Sequence, residues 1–289
     1  MKKVLSVACA LCMTTAMLTG CGSSNNAGTA ATGEAQNSAA ASTTTEQAST
    51  ATDAGTTLIA LITMDSLDQH WVTLNEGAQK AAAELGVTVQ FMAPNTKDDA
   101  QQIECVNNAV SAGAQAIIVA ANGPDAISSA LREASDAGVK LIYVDSPANV
   151  SAEATFSTDN NAAGKTAGEE MKKALADAGV TSGSIGIINV NAATDSCVMR
   201  EEGFRSAFEG TDFELLETQY GEGDAAKSQS IAENYITQGV VGIFGCNEGS
   251  TTGAGNAIKA SGKDNVIGVG FDKSDAIPVS YTHLTLPTT

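Results

Sequence analysis

Residues 116–146, AIIVAANGPDAISSALREASDAGVKLIYVDS, decide the fold. Ala116–Val119 and Val139–Val144 are short apolar runs rich in branched side chains, without the polar alternation of a half-exposed strand. Such runs suit strands buried on both faces of a parallel sheet. Between them lies Asp125–Ala137, an Ala-rich amphipathic stretch with Pro124 at a first-turn position and Gly138 as its stop, which is how a helix begins and ends. Two such strands joined by a helix form a β-α-β unit, and Asp145 follows the second strand directly.

The same alternation runs outward in both directions. Strands are expected at Thr57–Thr63, Thr88–Met92, Ser184–Val190, Leu215–Gln219, Val241–Phe244 and Val266–Phe271. Helices are expected at Trp71–Leu85, Asp98–Ala112, Asn160–Ala178, Ser196–Phe208, Asp224–Gln238 and Ser250–Ala260, with Gly86, Gly113 and Gly179 as further stops. Strict alternation predicts an α/β architecture of doubly wound parallel sheets. It divides near Ser146, after which an irregular connection is expected through Phe156. The expectation is an N-terminal lobe over 57–157 and a C-terminal lobe over 158–277, with a ligand cleft between them, because open α/β sheets collect ligands at strand C-terminal ends. Those ends carry Asp145, Asn247 and Asp272, and the turn after the first strand carries Asp65, Asp68, His70 and Trp71.

Ahead of the first strand the chain has a different character. Lys2 and Lys3 precede an apolar run from Val4 to Leu18, which ends in Leu18-Thr19-Gly20-Cys21. A basic start, an apolar stretch too short to span a bilayer comfortably and small residues at a cleavage point form a secretory signal. The segment resembles a bacterial lipoprotein signal, so residues 1–20 are expected to be removed and Cys21 to be acylated. Residues 21–56 are nearly all Ser, Thr, Asn, Gln, Ala and Gly, a composition unable to bury enough apolar surface to order itself. They are expected to form a disordered tether reaching about 35 Å.

The formal charge of −18 and the absence of Lys or Arg between Lys3 and Lys80 argue against a nucleic-acid partner. Cys9 and Cys12 fall in the signal. Cys105, Cys197 and Cys246 lack metal-ligand spacing and read as small core residues. Enzyme signatures are thin. Gly164-Lys165-Thr166 resembles the end of a phosphate-binding loop, but Asp159 stands where that motif needs glycine. No Gly-x-Ser-x-Gly occurs, and His70 is the one histidine in the body of the chain. A glycosidase needs only two carboxylates, which composition leaves open.

Several further stretches carry a family resemblance: Leu74–Lys80 closing with Glu84-Leu85-Gly86; Thr158-Asp159-Asn160 with Gly164-Lys165 and Ala167-Gly168; Arg200–Phe204; and Gly268–Asp272. In this order the chain from about Thr57 to Ile277 resembles the ribose-type branch of the type I periplasmic sugar-binding proteins that serve ABC importers. The resemblance implies a binding protein, not an enzyme. Its ligand would be a small sugar or polyol and its partner a membrane permease, with no cofactor and no metal. It would work as a monomer outside the cytoplasm, tied by lipid to the cell membrane. A sensory protein reporting to a membrane receptor is the alternative, since both uses need the same closed form.

The resemblance also implies roles. Trp71 matches an aromatic that stacks on the sugar ring, Asp145 an acidic ligand, and Asn247 and Asp272 an amide and a carboxylate across the cleft. Read without it, Trp71 is a helix-start core aromatic, Asp145 a turn residue before Pro147, and Asn247 and Asp272 are helix N-caps. His70 replaces what is often a second aromatic, and Asp68 stands where an amide is common. The ligand arginine of the family would fall at Val198, so Arg200 either reaches the cleft or pairs with a neighbouring acid. After Ile277 the family pattern stops. Pro278-Val279-Ser280-Tyr281-Thr282-His283-Leu284 and the rest of residues 278–289 are expected to be a non-native tail, leaving the second lobe incomplete.

Overall fold

The computed structural model describes residues 56–263, 265–273 and Ile277. The expected signal, Cys21, nearly all of the tether and the 278–289 tail lie outside the described residues.

The first half builds β1 (Leu58–Ile62), α1 (Gln69–Leu85), β2 (Thr88–Met92), α2 (Asp99–Ser111), β3 (Ala116–Val119), α3 (Pro124–Asp136), β4 (Lys140–Val144) and β5 (Ala154–Phe156). These strands form one parallel sheet in the order β2-β1-β3-β4-β5. The second half builds α4 (Asn160–Asp177), β6 (Gly183–Asn189), α5 (Asp195–Ala207), β7 (Phe213–Leu215), β8 (Gln219–Tyr220), α6 (Ala225–Gln238), β9 (Gly242–Gly245), α7 (Glu248–Ser261) and β10 (Ile267–Gly270). Its parallel sheet runs β10-β9-β6-β7, with β8 also on β6.

Local chemistry sets the element ends. Asp68, Asp98, Asp159 and Asp224 each cap a helix by accepting a backbone N–H two or three residues on. Pro124 opens α3 at its first turn, and Gly86 closes α1 with φ +67°. Ile117, Val119, Leu131 and Leu141 sit in the core of the first lobe. In the second, Phe204 and Phe244 stack at 4.0 Å between α5 and β9.

Two expectations need correction. The connection through Phe156 is not wholly irregular: Ala154–Phe156 pairs with β4 as an edge strand, closed by Asp145 N–H donating to the Phe156 carbonyl at 2.9 Å. Three residues with exposed Thr155 and Phe156 carry no alternation from which to read a strand. The run Leu215–Gln219 is also not one strand. It breaks between β7 and β8 because side chains claim its backbone: Arg205 donates to the Leu216 carbonyl at 3.1 Å and Tyr235 Oη to that of Glu217 at 2.7 Å.

Glycine sets one close approach that positions the site. α4 and α5 lie so near that a Cβ on Gly203 would fall 2.0 Å from the Asn161 carbonyl, and one on Gly164 2.0 Å from that of Arg200. The obstruction is backbone, so only a helix shift relieves it. Gly203→Ala should therefore cost about 1–3 kcal/mol, the usual range for overpacking. A urea melt unchanged from the parent would show that the helices have room to part.

Candidate functional site

The C-terminal ends of both sheets face each other across a small cleft. After β1, Asp65 Oδ1 accepts the N–H groups of Leu67 and Asp68 at 2.8 Å each and folds the turn that leads into α1. That turn presents Asp68, His70 and Trp71. Asp145 follows β4 at φ +61° and Asp272 follows β10 at φ +72°. Left-handed backbone in a residue other than glycine carries strain, which tends to persist where a side chain must be aimed. Asn247 follows β9 at the N-cap of α7.

All seven residues singled out from the sequence, Asp68, His70, Trp71, Asp145, Arg200, Asn247 and Asp272, line this cleft. It holds about 310 Å³ of unfilled space, open solvent included, the lower end of the range for small-molecule sites. Sequence reasoning missed Met64, Lys97, Val190, Ser196 and Cys197, which complete the wall. Lys97 reaches in from the loop after β2 and pairs with Asp65, with Asp68 at 3.5 Å.

Arg200 both reaches the cleft and pairs with acids. It is buried, lies 3.5 Å from Asp145 Oδ1, and stacks 4.5 Å above the Phe271 ring. It donates through Nε to Asn160 Oδ1 at 2.8 Å and through Nη1 to the Cys246 carbonyl at 3.1 Å. Val198 does not line the cleft. Ser196, Cys197 and Arg200 do, as residues one turn apart on α5 must.

Asn247 performs the capping role as well. Its Oδ1 accepts from Ser250 N–H at 3.1 Å, and its buried Nδ2 has no partner. Trp71 Nε1 is the other buried donor without a partner in the cleft wall. Trp71 also packs on Met64 and Ala120, with the exposed His70 ring edge-on at 4.6 Å, so it is a core aromatic and a cleft residue at once.

The charges are mutually adjusted. Burial would lower the Lys97 pKa, but Asp65 and Asp68 outweigh it and hold it above the usual lysine value. Burial opposes the Asp68 charge, yet its hydrogen bond with Glu248 and the Lys97 ammonium bring the pKa below the ordinary value. Burial raises Asp272, with Arg200 and His70 opposing. Burial also pushes the Cys197 thiol up to about 11, which leaves it protonated and inert at neutral pH. The wall thus interleaves acceptors (Asp68, Asp145, Asp272) with donors (Arg200, Lys97, Asn247 Nδ2, Trp71 Nε1). Among the described residues no cluster suits a metal ion, and no helix is long and apolar enough to cross a membrane.

Comparison with known proteins agrees with this architecture. A family model described as "periplasmic binding protein domain" matches residues 59–277. The ribose import binding protein of Haemophilus influenzae is 30% identical over 230 residues, 78% of this chain and 76% of that protein. The structure of a carbohydrate transporter solute-binding protein from Agrobacterium radiobacter, solved with D-arabinose, is 27% identical with a TM-score of 0.74, covering 79% of this chain and 80% of that one. A sugar transporter structure from Clostridium phytofermentans is 29% identical with a TM-score of 0.69, covering 76% and 82%. These relatives are solute-binding and transport proteins, and the chain is a binding protein, not an enzyme. It belongs to the periplasmic binding protein family, in the ribose-type, type I branch.

Proposed function

We propose that the protein captures a small sugar or polyol in this cleft, outside the cytoplasm, and delivers it to an ABC permease while anchored to the membrane through acylated Cys21. The observation that carries the reading is the wall itself: three carboxylates alternate with four donors, two of which, Asn247 Nδ2 and Trp71 Nε1, are buried without partners. Buried donors are nearly always satisfied. A hydroxyl both donates and accepts, so a polyhydroxylated ring can meet the carboxylates and these two donors together. Relatives whose names specify ribose import, D-apiose import and bound D-arabinose support the same class.

Titration calorimetry against pentoses, hexoses and polyols tests the ligand. At least one should bind and return chemically unchanged. Binding of amino acids or nucleosides, with none of the sugars, would overturn the assignment and leave the fold intact. The anchor has its own test: mass spectrometry of the membrane fraction should find diacylglyceryl-Cys21 at the N-terminus, and Cys21→Ala should release soluble protein. Unaltered membrane retention of that variant would refute acylation.

A further inference from the structure

Two carboxyl groups meet across the gap between the lobes, one from each side. Asp68 stands at the N-cap of α1, and Glu248 lies in the first turn of α7. Glu248 Oε2 accepts from Gln69 N–H at 2.9 Å, which ties the start of α1 to the opposite lobe. The Glu248 carboxyl is also hydrogen-bonded to that of Asp68. An ionised carboxylate has no hydrogen to donate, so this bond exists only while one of the two holds a proton. The surroundings decide which. Asp68 accepts from His70 N–H at 3.1 Å and has the Lys97 ammonium at 3.5 Å, so it keeps its charge. Glu248 shares an interlobe space with Asp65, Glu222 and Asp224. Among the described residues Lys97 is the one basic side chain lining that space, and Asp65 and Asp68 already share it. Lys227, outside the lining, pairs with Glu222. The proton therefore rests on Glu248.

We propose that Glu248 and Asp68 share one proton across the cleft and so latch the lobes together, which makes Glu248 a positioning residue for the sugar. Its effect on affinity rests on the sugar reading of the cleft; the latch itself does not. Asp68 also lines the smaller cleft, so the bond that joins the lobes holds an acceptor that the ligand meets. Closing takes up one proton, because with the lobes parted Glu248 is an ordinary glutamate that ionises near pH ~4.3. Affinity should accordingly grow as pH falls from neutral toward that value, by at most about tenfold per pH unit, and decline as pH rises and the shared proton is lost. Two other titrating groups act on Asp68, His70 from α1 and Asp272 from the end of β10. Both remain when Glu248 is replaced, so comparison of variants removes their contribution.

Calorimetry on the full chain with ribose, arabinose, allose, glucose and galactose, at about pH 5.5 and about pH 8, tests the latch. A glutamine can accept from Gln69 N–H and donate to Asp68 without a shared proton. Glu248→Gln should therefore bind within about twofold of the parent in acid and about fivefold or more tightly than the parent in base. Glu248→Ala should bind more weakly than either in acid. Parallel pH profiles in the parent and Glu248→Gln would overturn the latch and leave the sugar reading standing. Small-angle scattering reads the latch without any sugar. The parent should be more compact in acid than in base, and Glu248→Gln equally compact in both. If none of the sugars binds, that pattern upholds the latch while the sugar reading falls, and its absence overturns the latch as well.

Discussion

Replacement of Arg200 by alanine is expected to cost roughly 3–5 kcal/mol of folding stability, the range for breaking a buried charge pair from one side. The guanidinium is buried beside Asp145 and holds the Asn160 side chain and the Cys246 carbonyl. Its removal takes a partner from each of the three and withdraws the charge that opposes the burial-driven rise of Asp272. The pH dependence has a defined sign. A carboxyl whose folded pKa is raised stabilises fully below its unfolded value, about 3.9, and loses that contribution as pH rises through the folded value. Without Arg200 the folded value of Asp272 climbs further, so the deficit of the variant should be largest at neutral pH and narrow as pH falls. Urea unfolding at several pH values measures this. A variant as stable as the parent, or a deficit that widens in acid, would show that Arg200 is not the counter-ion of the cleft.

Asp145→Ala should weaken sugar binding by about two orders of magnitude or more. Hydrogen bonds to a charged group are each worth about 1.5–3 kcal/mol, and a carboxylate can accept two from adjacent hydroxyls. Two serine hydroxyls hold this carboxylate in position, with Oδ2 accepting from Ser196 Oγ at 2.9 Å and from Ser146 Oγ at 3.2 Å. Alanine also meets the φ +61° backbone, which disfavours it by about 1–2 kcal/mol, so this variant should lose stability as well as affinity. Asp145→Asn separates the two effects. Asparagine tolerates left-handed backbone, so its melt should stay close to the parent while its affinity drops. Parental affinity in a folded Asp145→Asn protein would exclude the carboxylate from ligand binding.

The parts legible in the sequence were those whose cause is local. Asp145, Asn247 and Asp272 could be found because each lies within two residues of the end of an apolar strand, and parallel sheets present such positions to one edge. Lys97 could not, because it lies five residues past the end of β2. Only the seating of β2 beside β1 brings its loop to Asp65 and Asp68. Ser196 and Cys197 depend on how α5 lies across the opposing lobe. Arg200 was found in the chain but could not be placed by counting along it, since its register relies on the glycine contact between α4 and α5. The short strands β7 and β8 were obscured for a related reason, since both pair with β6 well before them in the chain, while β5 is a three-residue edge piece with no alternation to read.

Trp71 is the chain's one tryptophan, and the fold puts it in the wall of the cleft. Selectively excited tryptophan emission therefore comes from a single indole whose Nε1–H lacks a partner and whose ring meets that of His70 in a T-shaped pair at 4.6 Å. Any molecule that enters the cleft changes the polarity around that one ring. The natural protein thus carries its own optical gauge of occupancy, and ligand screening can proceed by fluorescence without a dye, a fusion or an introduced label.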